Sequence, residues 1–182
     1  MPKNERVVIA GFGGQGVMLM GQMLAQAATN EGLETVWIPS YGPESRGGTA
    51  NCFVTISETP INAPMVSESD TLIAMNEPSL LKFEKKIKKG GRLLVNASLI
   101  KDHDYRKDIE VHEIPINDLA LELGNLKVAN MVMLGSYLKA SGLFEPEALE
   151  TVFKNKFTGK KEALLDLNKK ALRRGMKEIK EA

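Results

Sequence analysis

The sequence predicts a three-layer α/β/α sandwich on one mostly parallel sheet, and three observations carry that prediction. Short apolar runs of β type alternate with helix-forming segments from Arg6 to Ile114, the pattern of a parallel sheet covered on both faces. The first run, Arg6–Ala10, feeds a glycine-rich turn that opens onto a long helical segment, a Rossmann-like first βα unit. The composition, 43% hydrophobic and 26% charged over 182 residues, is that of a globular chain sized for a single domain spanning 1–182.

Taken in order, the strand Arg6–Ala10 leads through Gly11-Phe12-Gly13-Gly14-Gln15-Gly16 into a helix over Gln15–Asn30. Val17, Met18, Met20, Met23, Leu24 and Ala27 recur there at helical spacing, and Gly32 stands where a C-terminal cap belongs. A second strand, Glu34–Ile38, precedes a polar loop from Pro39 to Thr49, and a third strand runs from Ala50 to Ser57 with Cys52, Val54 and Ile56 on one face. Its hairpin-like approach to the second strand predicts at least one antiparallel pairing. Ile61-Asn62-Ala63 reads as a short edge strand. Asp70–Ala74 reads as a buried strand, followed by a helix from Asn76-Glu77-Pro78 to Lys89, ended by Gly90-Gly91. Strands at Arg92–Asn96 and Ile109–Ile114 follow. The chain closes with helical segments at Ile116–Leu123, Val128–Ala140 and Pro146–Phe157, then an amphipathic helix from about Lys161 to Lys180, so that helices alone follow residue 145.

Composition narrows the function. A net charge of +1 gives no bias toward nucleic acid or an anionic membrane. No apolar run approaches the roughly 20 residues of a membrane span, and the N-terminus has no signal-peptide pattern; a cytoplasmic location is expected. Cys52 is the only cysteine, so the chain cannot supply the thiolates of an iron–sulfur cluster, and His103 and His112 lack metal-ligand spacing. No metal site is expected. The basic run Lys169, Lys170, Arg173, Arg174 and Lys177 reads either as a solvated helix face or as a docking surface for an acidic partner.

The glycine turn is the first candidate site. Gly11, Gly13 and Gly16 spell G-x-G-x-x-G, whose glycines let backbone approach a ligand while the helix N-terminus offers unpaired N–H donors. A dinucleotide site also needs an acidic residue at the tip of the second strand, yet that strand ends Ile38-Pro39-Ser40 and Glu44 comes too late. An NAD(P) enzyme is therefore disfavoured. Gln15 adds an amide suited to a partner's backbone or a polar cofactor group as well as to a phosphate. The second candidate is Tyr41-Gly42-Pro43-Glu44-Ser45-Arg46-Gly47-Gly48, which should emerge at the same sheet edge; Arg46 could clamp a carboxylate or phosphate, with Glu44 as its neighbour. The third is Asn130, polar amid the apolar helical run Val128–Gly135.

Together these stretches, with Asn76-Glu77-Pro78-Ser79-Leu80 and Gly124–Met131, resemble the gamma subunit of a 2-oxoacid:ferredoxin oxidoreductase over about residues 6–142. The combination of Gly-Phe-Gly-Gly-Gln-Gly with Ser-Tyr-Gly-Pro-Glu-Ser-Arg-Gly-Gly is the specific part. The resemblance implies an assembly that decarboxylates a 2-oxoacid on thiamine diphosphate, passes electrons through iron–sulfur clusters to ferredoxin and hands the acyl group to coenzyme A. Thiamine diphosphate, magnesium and clusters would then sit on alpha, beta and, where present, delta subunits, leaving this chain without catalytic residues of its own. It implies that Gly11, Gly13, Gly14, Gln15, Gly16, Tyr41, Gly42, Glu44, Ser45, Arg46, Gly47, Gly48 and Asn130 form an anion or coenzyme A contact, or an interface at the partners' active site. The Phe12 and Pro43–Arg46 versions of the motifs look more like the 2-oxoglutarate or branched-chain enzymes than the pyruvate ones, with 2-oxoglutarate preferred. Two rival readings stand beside it: a free-standing Rossmann-type nucleotide-binding oxidoreductase, and a purely structural subunit.

Overall fold

A computed structural model describes residues 3–42, 48–63 and 67–180. In chain order these form β1 (Asn4–Phe12), α1 (Val17–Asn30), β2 (Glu34–Tyr41), β3 (Thr49–Ser57), β4 (Ser69–Ala74), α2 (Glu77–Phe83), β5 (Ile87–Asn96), β6 (Glu110–Ile114), α3 (Ile116–Glu122), α4 (Ala129–Ser141), α5 (Pro146–Lys156) and α6 (Leu165–Met176). The six strands make one sheet in the order β2-β3-β1-β4-β5-β6. Strand β3 pairs antiparallel with both β1 and β2, while β4 is parallel to β1, β5 to β4 and β6 to β5. The expected mostly parallel sheet with an antiparallel strand is thus present.

Period-two alternation assigns the two faces. Val7 and Ile9 of β1, with Cys52, Val54 and Ile56 of β3, join a core shared with α1, α3, α4, α5 and α6. Val8 and Ala10 face the other way, into a smaller core with Leu80 and Phe83 of α2 and Ile100 from the segment after β5. The sandwich is therefore lopsided, with five helices on one face and α2 on the other. Helix α1 buries one stripe, Val17, Met20, Leu24 and Ala27–Ala28, as an amphipathic helix does. Helix α4 is buried on every side from Ala129 to Leu138 and forms the centre of the helical layer. It crosses α6 at two glycines: a Cβ on Gly135 would lie 1.9 Å from Leu172 O, and one on Gly175 1.8 Å from Val132 O. No helix among the described residues is long and apolar enough to cross a membrane.

Several boundaries differ from the sequence reading. The helix expected from Asn76 to Lys89 ends at Phe83, passes through a 3-10 turn at Glu84–Lys86, and gives way to β5 at Ile87. Ile87 is buried and pairs with Ser69, an irregular extension of the β4–β5 ladder that local helix propensity cannot anticipate. Gly90 lies inside that strand at φ +75° and its N–H donates to Asp108 O at 2.8 Å. Residues 61–63 form no strand. The second strand continues to Tyr41 through Pro39, which an edge strand tolerates. The closing amphipathic segment is a 3-10 turn, Gly159–Leu164, followed by the shorter α6.

Candidate functional site

The carboxyl ends of β1, β4, β5 and β6 share one edge with the start of β3, and the predicted stretches meet there. Phe12 pairs with Thr49 at the last rung of the β1–β3 ladder, which carries the chain on both strands to the same height. Beyond that rung Gly13 N–H donates to Gly48 O at 3.0 Å, joining the glycine turn directly to the second loop, and Gly42 N–H donates to Thr49 O at 2.8 Å. Between them lies a recess of about 670 Å³. Its walls include Phe12, Met18, Leu19 and Tyr41 with the backbone of Gly13 and Gly14. Val17, Met18 and Leu19, from the first turn of α1, line it, and an α-helix leaves the N–H groups of its first turn without intrahelical acceptors. No charged side chain stands among its described lining residues. Pro43, Glu44, Ser45, Arg46 and Gly47 lie outside the described residues.

Gln15 holds the turn rather than projecting from it. Its Oε1 accepts from Phe12 N–H at 2.7 Å and from Asn76 Nδ2 at 3.0 Å, while its Nε2 donates to Met75 O at 3.2 Å. Gly11 makes room for this brace, since a Cβ there would sit 2.6 Å from Gln15 Oε1 and 2.9 Å from Met75 Cβ. Gly16, at φ +76°, is the residue before α1, in a left-handed conformation that costs an ordinary residue about 1–2 kcal/mol. A Cβ on Gly16 would also lie 2.2 Å from Asn130 Nδ2, so the buried Asn130 of α4 is packed against the glycine turn. Asn130 thus belongs to the same edge as Gly11–Gly16.

The brace continues through Asn96 and Asn117, which no local pattern flagged, and through Asn76, which the sequence marked only as a helix start. Asn96 Nδ2, at the end of β5, donates both to Met75 O at 3.2 Å and to Asn117 Oδ1 at 3.1 Å. Asn76 Oδ1 accepts from Ser79 N–H at 3.0 Å and starts α2. Gln15, Asn76, Asn96 and Asn117 therefore form a chain of amides along the carboxyl edge from β1 to the start of α3. The signal available in sequence was an asparagine just past each of three apolar runs, at 76, 96 and 117.

Strand order departs from that of a dinucleotide fold. In a dinucleotide fold the second strand lies beside the first and its tip faces the ribose. Here β3 is inserted between them, which puts β2 two strand spacings, about 10 Å, from β1. The tip of β2 therefore stands one strand further from β1 than in a dinucleotide fold.

The other candidate groups are structurally engaged. Cys52 is buried, its Sγ is 3.7 Å from Val17 O, and burial pushes its thiol up to about 12. Such a thiol is neither a nucleophile nor a cluster ligand at neutral pH. His103 lies 3.0 Å from Glu84 and His112 2.7 Å from Glu110, two separate local pairs. Within the basic C-terminal run, Arg173 is paired with Glu147 and Glu150 at 2.8 Å each, and Arg174 with Glu122 and Glu178. The acidic-partner reading of that helix loses its two arginines. At the opposite edge of the sheet Glu5 accepts from Thr71 Oγ1 at 2.5 Å and faces Arg92 at 3.4 Å; burial raises its carboxyl above the ordinary value despite both partners.

Fold and site together define a Rossmann-like α/β domain whose glycine turn is fused to a second loop and opens on an apolar-walled recess instead of a dinucleotide crevice. The chain belongs to the pyruvate ferredoxin/flavodoxin oxidoreductase family, whose model matches residues 6–178. Among curated relatives, ketoisovalerate oxidoreductase subunit VorA of Methanothermobacter marburgensis is 41% identical over 175 residues, covering 95% of this chain but 36% of VorA. The chain thus spans about a third of that relative's length. 2-Oxoglutarate synthase subunit KorC of the same organism is 38% identical over 159 residues, covering 84% of this chain and 86% of KorC. Among solved structures, the gamma subunit of a keto/oxoacid ferredoxin oxidoreductase from Geobacter sulfurreducens matches with a TM-score of 0.82 and 31% identity, over 96% of this chain and 97% of that one. The 2-oxoglutarate:ferredoxin oxidoreductase from Magnetococcus marinus, solved with 2-oxoglutarate, coenzyme A and succinyl-CoA bound, matches with a TM-score of 0.90 and 25% identity, over 99% of this chain and 32% of that one.

Proposed function

We propose that this chain is the gamma subunit of a multi-subunit 2-oxoacid:ferredoxin oxidoreductase and that its carboxyl edge completes an active site carried by partner chains. The observation that carries the reading is the Gly13–Gly48 hydrogen bond, which joins the two family-specific stretches into one surface. The chain's own residues do not fit the redox groups. Its single thiol is buried and held neutral, and no three His, Cys, Asp or Glu residues among those described gather as a metal site. Thiamine diphosphate with magnesium would supply 2-oxoacid decarboxylation, and clusters the electron path to ferredoxin, on alpha, beta and, where present, delta subunits.

In this reading the chain positions and encloses. The amide brace from Gln15 to Asn117 keeps the turn rigid, the α1 N-terminus supplies backbone donors, and Phe12, Met18, Leu19 and Tyr41 exclude water. The recess admits coenzyme A toward the partners' site, with Arg46 as the anion-contacting group. Replacing Arg46 with Ala should raise the apparent coenzyme A or 2-oxoacid KM of the assembled enzyme several-fold; unchanged steady-state kinetics would remove Arg46 from the site. The substrate is proposed to be 2-oxoglutarate, in line with the KorC relatives, and the VorA match makes a branched-chain 2-oxoacid the competitor. Comparing kcat/KM for 2-oxoglutarate, 2-oxoisovalerate and pyruvate decides between them.

A further inference from the structure

Strand β2 closes one side of the sheet, and among the described residues no strand pairs with its outer side. The bond from Gly42 N–H to Thr49 O, at 2.8 Å, continues the β2–β3 register by one position and marks a hydrogen-bonded pair. Counting back by twos, Ser40, Ile38, Val36 and Glu34 bond to β3, while Thr35, Trp37, Pro39 and Tyr41 turn their backbone groups outward. Pro39, which has no N–H to give, falls on an outward position, where a strand tolerates it. The free side of β2 therefore carries donors on Thr35, Trp37 and Tyr41, and acceptors on those residues and Pro39.

The side chains of this strand are as unguarded as its backbone. Val36, Trp37 and Ile38 are half-buried, and Tyr41 is 70% exposed. After Glu34 the strand has no charged residue, although charges, lysine above all, are what keep a free strand from pairing. Thr35 and Trp37 lie on the α1 side, where Thr35 Oγ1 is 2.7 Å from Thr29 Oγ1. With Gln22 and Gln26 of α1 and Asn155 of α5 they line a groove of about 700 Å³ between α1, β2 and α5.

We propose that two copies of this chain join through β2, antiparallel about a two-fold axis at Ile38, so that one sheet runs through both. The register follows from where the donors stand. With the axis at Ile38, Thr35 faces Tyr41 of the second copy and Trp37 faces its Pro39. Thr35 N–H then meets Tyr41 O, Tyr41 N–H meets Thr35 O and Trp37 N–H meets Pro39 O, and the symmetry repeats all of these. No other antiparallel register finds acceptors inside β2 for all these donors: one step either way sets Tyr41 or Thr35 against a position beyond the strand. The pairing also sets Tyr41 of each copy across from Thr35 of the other, beside the groove, and Trp37 across from Pro39. It is a property of the chain alone and does not depend on the gamma-subunit reading.

Sedimentation equilibrium of the purified full chain over a dilution series reads the dimer dissociation constant, with circular dichroism confirming the fold of each variant. Wild type should be a dimer that dissociates on dilution. Pro39→Thr supplies the missing donor opposite Trp37 O of the second copy and should tighten the dimer by about threefold or more. Ile38→Lys sets like charges opposite each other at the axis and should weaken it by about tenfold or more, as should Ile38→Glu. An equal mixture of the two Ile38 variants should dimerise again, which requires the axis at that residue. Should the Ile38 variants fail to fold, Thr35→Pro takes their place with the same loss expected, since it removes an outward donor and no bond to β3. A wild-type chain that stays monomeric overturns the proposal, as does a dimer that none of these substitutions moves. A dimer weakened by Pro39→Thr overturns the backbone pairing. If tagged β2 variants expressed in the source organism lose other protein chains while their self-association is unchanged, the outer side of β2 receives a different chain and the proposal is wrong. None of these results bears on the gamma-subunit reading, which ferredoxin reduction by the assembly tests separately.

Discussion

Replacing Gln15 with Ala probes the brace that shapes the glycine turn. The change removes three hydrogen bonds: Phe12 N–H and Asn76 Nδ2 lose their acceptor, and Met75 O loses one donor but keeps Asn96 Nδ2. A net hydrogen bond contributes about 0.5–1.5 kcal/mol, and a donor left unpaired costs more where water cannot reach it. Gln15 is half-buried, so water replaces part of the loss, and the expected destabilisation is about 2–3 kcal/mol. For a chain of this size that corresponds to a fall in Tm of roughly 5–10 °C. Urea unfolding followed by circular dichroism measures it, with an unchanged m value showing that the effect lies in stability. Gln15→Glu is the informative companion. It keeps both acceptor contacts but sets a carboxylate oxygen against Met75 O in place of the amide, so its loss should be smaller, about 1 kcal/mol. A Gln15→Ala variant within about 0.5 kcal/mol of wild type would refute the brace.

Three further outcomes follow from the same geometry. Gly16→Ala should destabilise by about 3 kcal/mol, combining left-handed backbone strain with the Asn130 contact; adding Asn130→Ala should recover the steric part only, so additive losses in a double-mutant cycle would contradict the contact. Cys52 should resist thiol reagents in the native state at pH 8 and react at once in urea; comparable rates in both would show that the thiol is not buried as described. The raised pKa of Glu5 means that the folded state holds that proton more tightly than the unfolded one. Its contribution is fully present below the ordinary value of 4.5 and is lost as pH rises through the folded pKa. The stability of Glu5→Gln relative to wild type should therefore improve between pH 4 and 7, and a constant or falling difference would reverse the assignment.

How much of this was legible in the sequence depends on the range of the interactions concerned. The first βα unit, the alternation of Cys52, Val54 and Ile56, and the Asn76-Pro78 helix start are set by neighbours in sequence, and they read correctly. The end of α2 did not, because Ile87 leaves the helix to pair with Ser69 across the sheet. At the site, the meeting of Gly11–Gly16 with Tyr41, Gly42 and Gly48 was expected from strand polarity. The antiparallel pairing of β3 with β2 was also expected, but the insertion of β3 between β1 and β2 is something the sequence pattern does not specify. The same insertion moves β2 away from the glycine turn, a stronger reason against a dinucleotide than the missing acid. Gln15 read as a group offered to a ligand; its contacts make it a structural strut. Asn96 and Asn117 were invisible because they act only after three separate strand ends have been set side by side.

Ferredoxin reduction by the complete assembly, with and without this chain, tests the central claim most directly. Partner chains purified without it should reduce ferredoxin slowly or not at all with 2-oxoglutarate and coenzyme A, and adding the chain should restore turnover saturably at a fixed stoichiometry. Full activity in its absence, or a nucleotide-dependent oxidoreductase activity of the chain alone, would contradict the account.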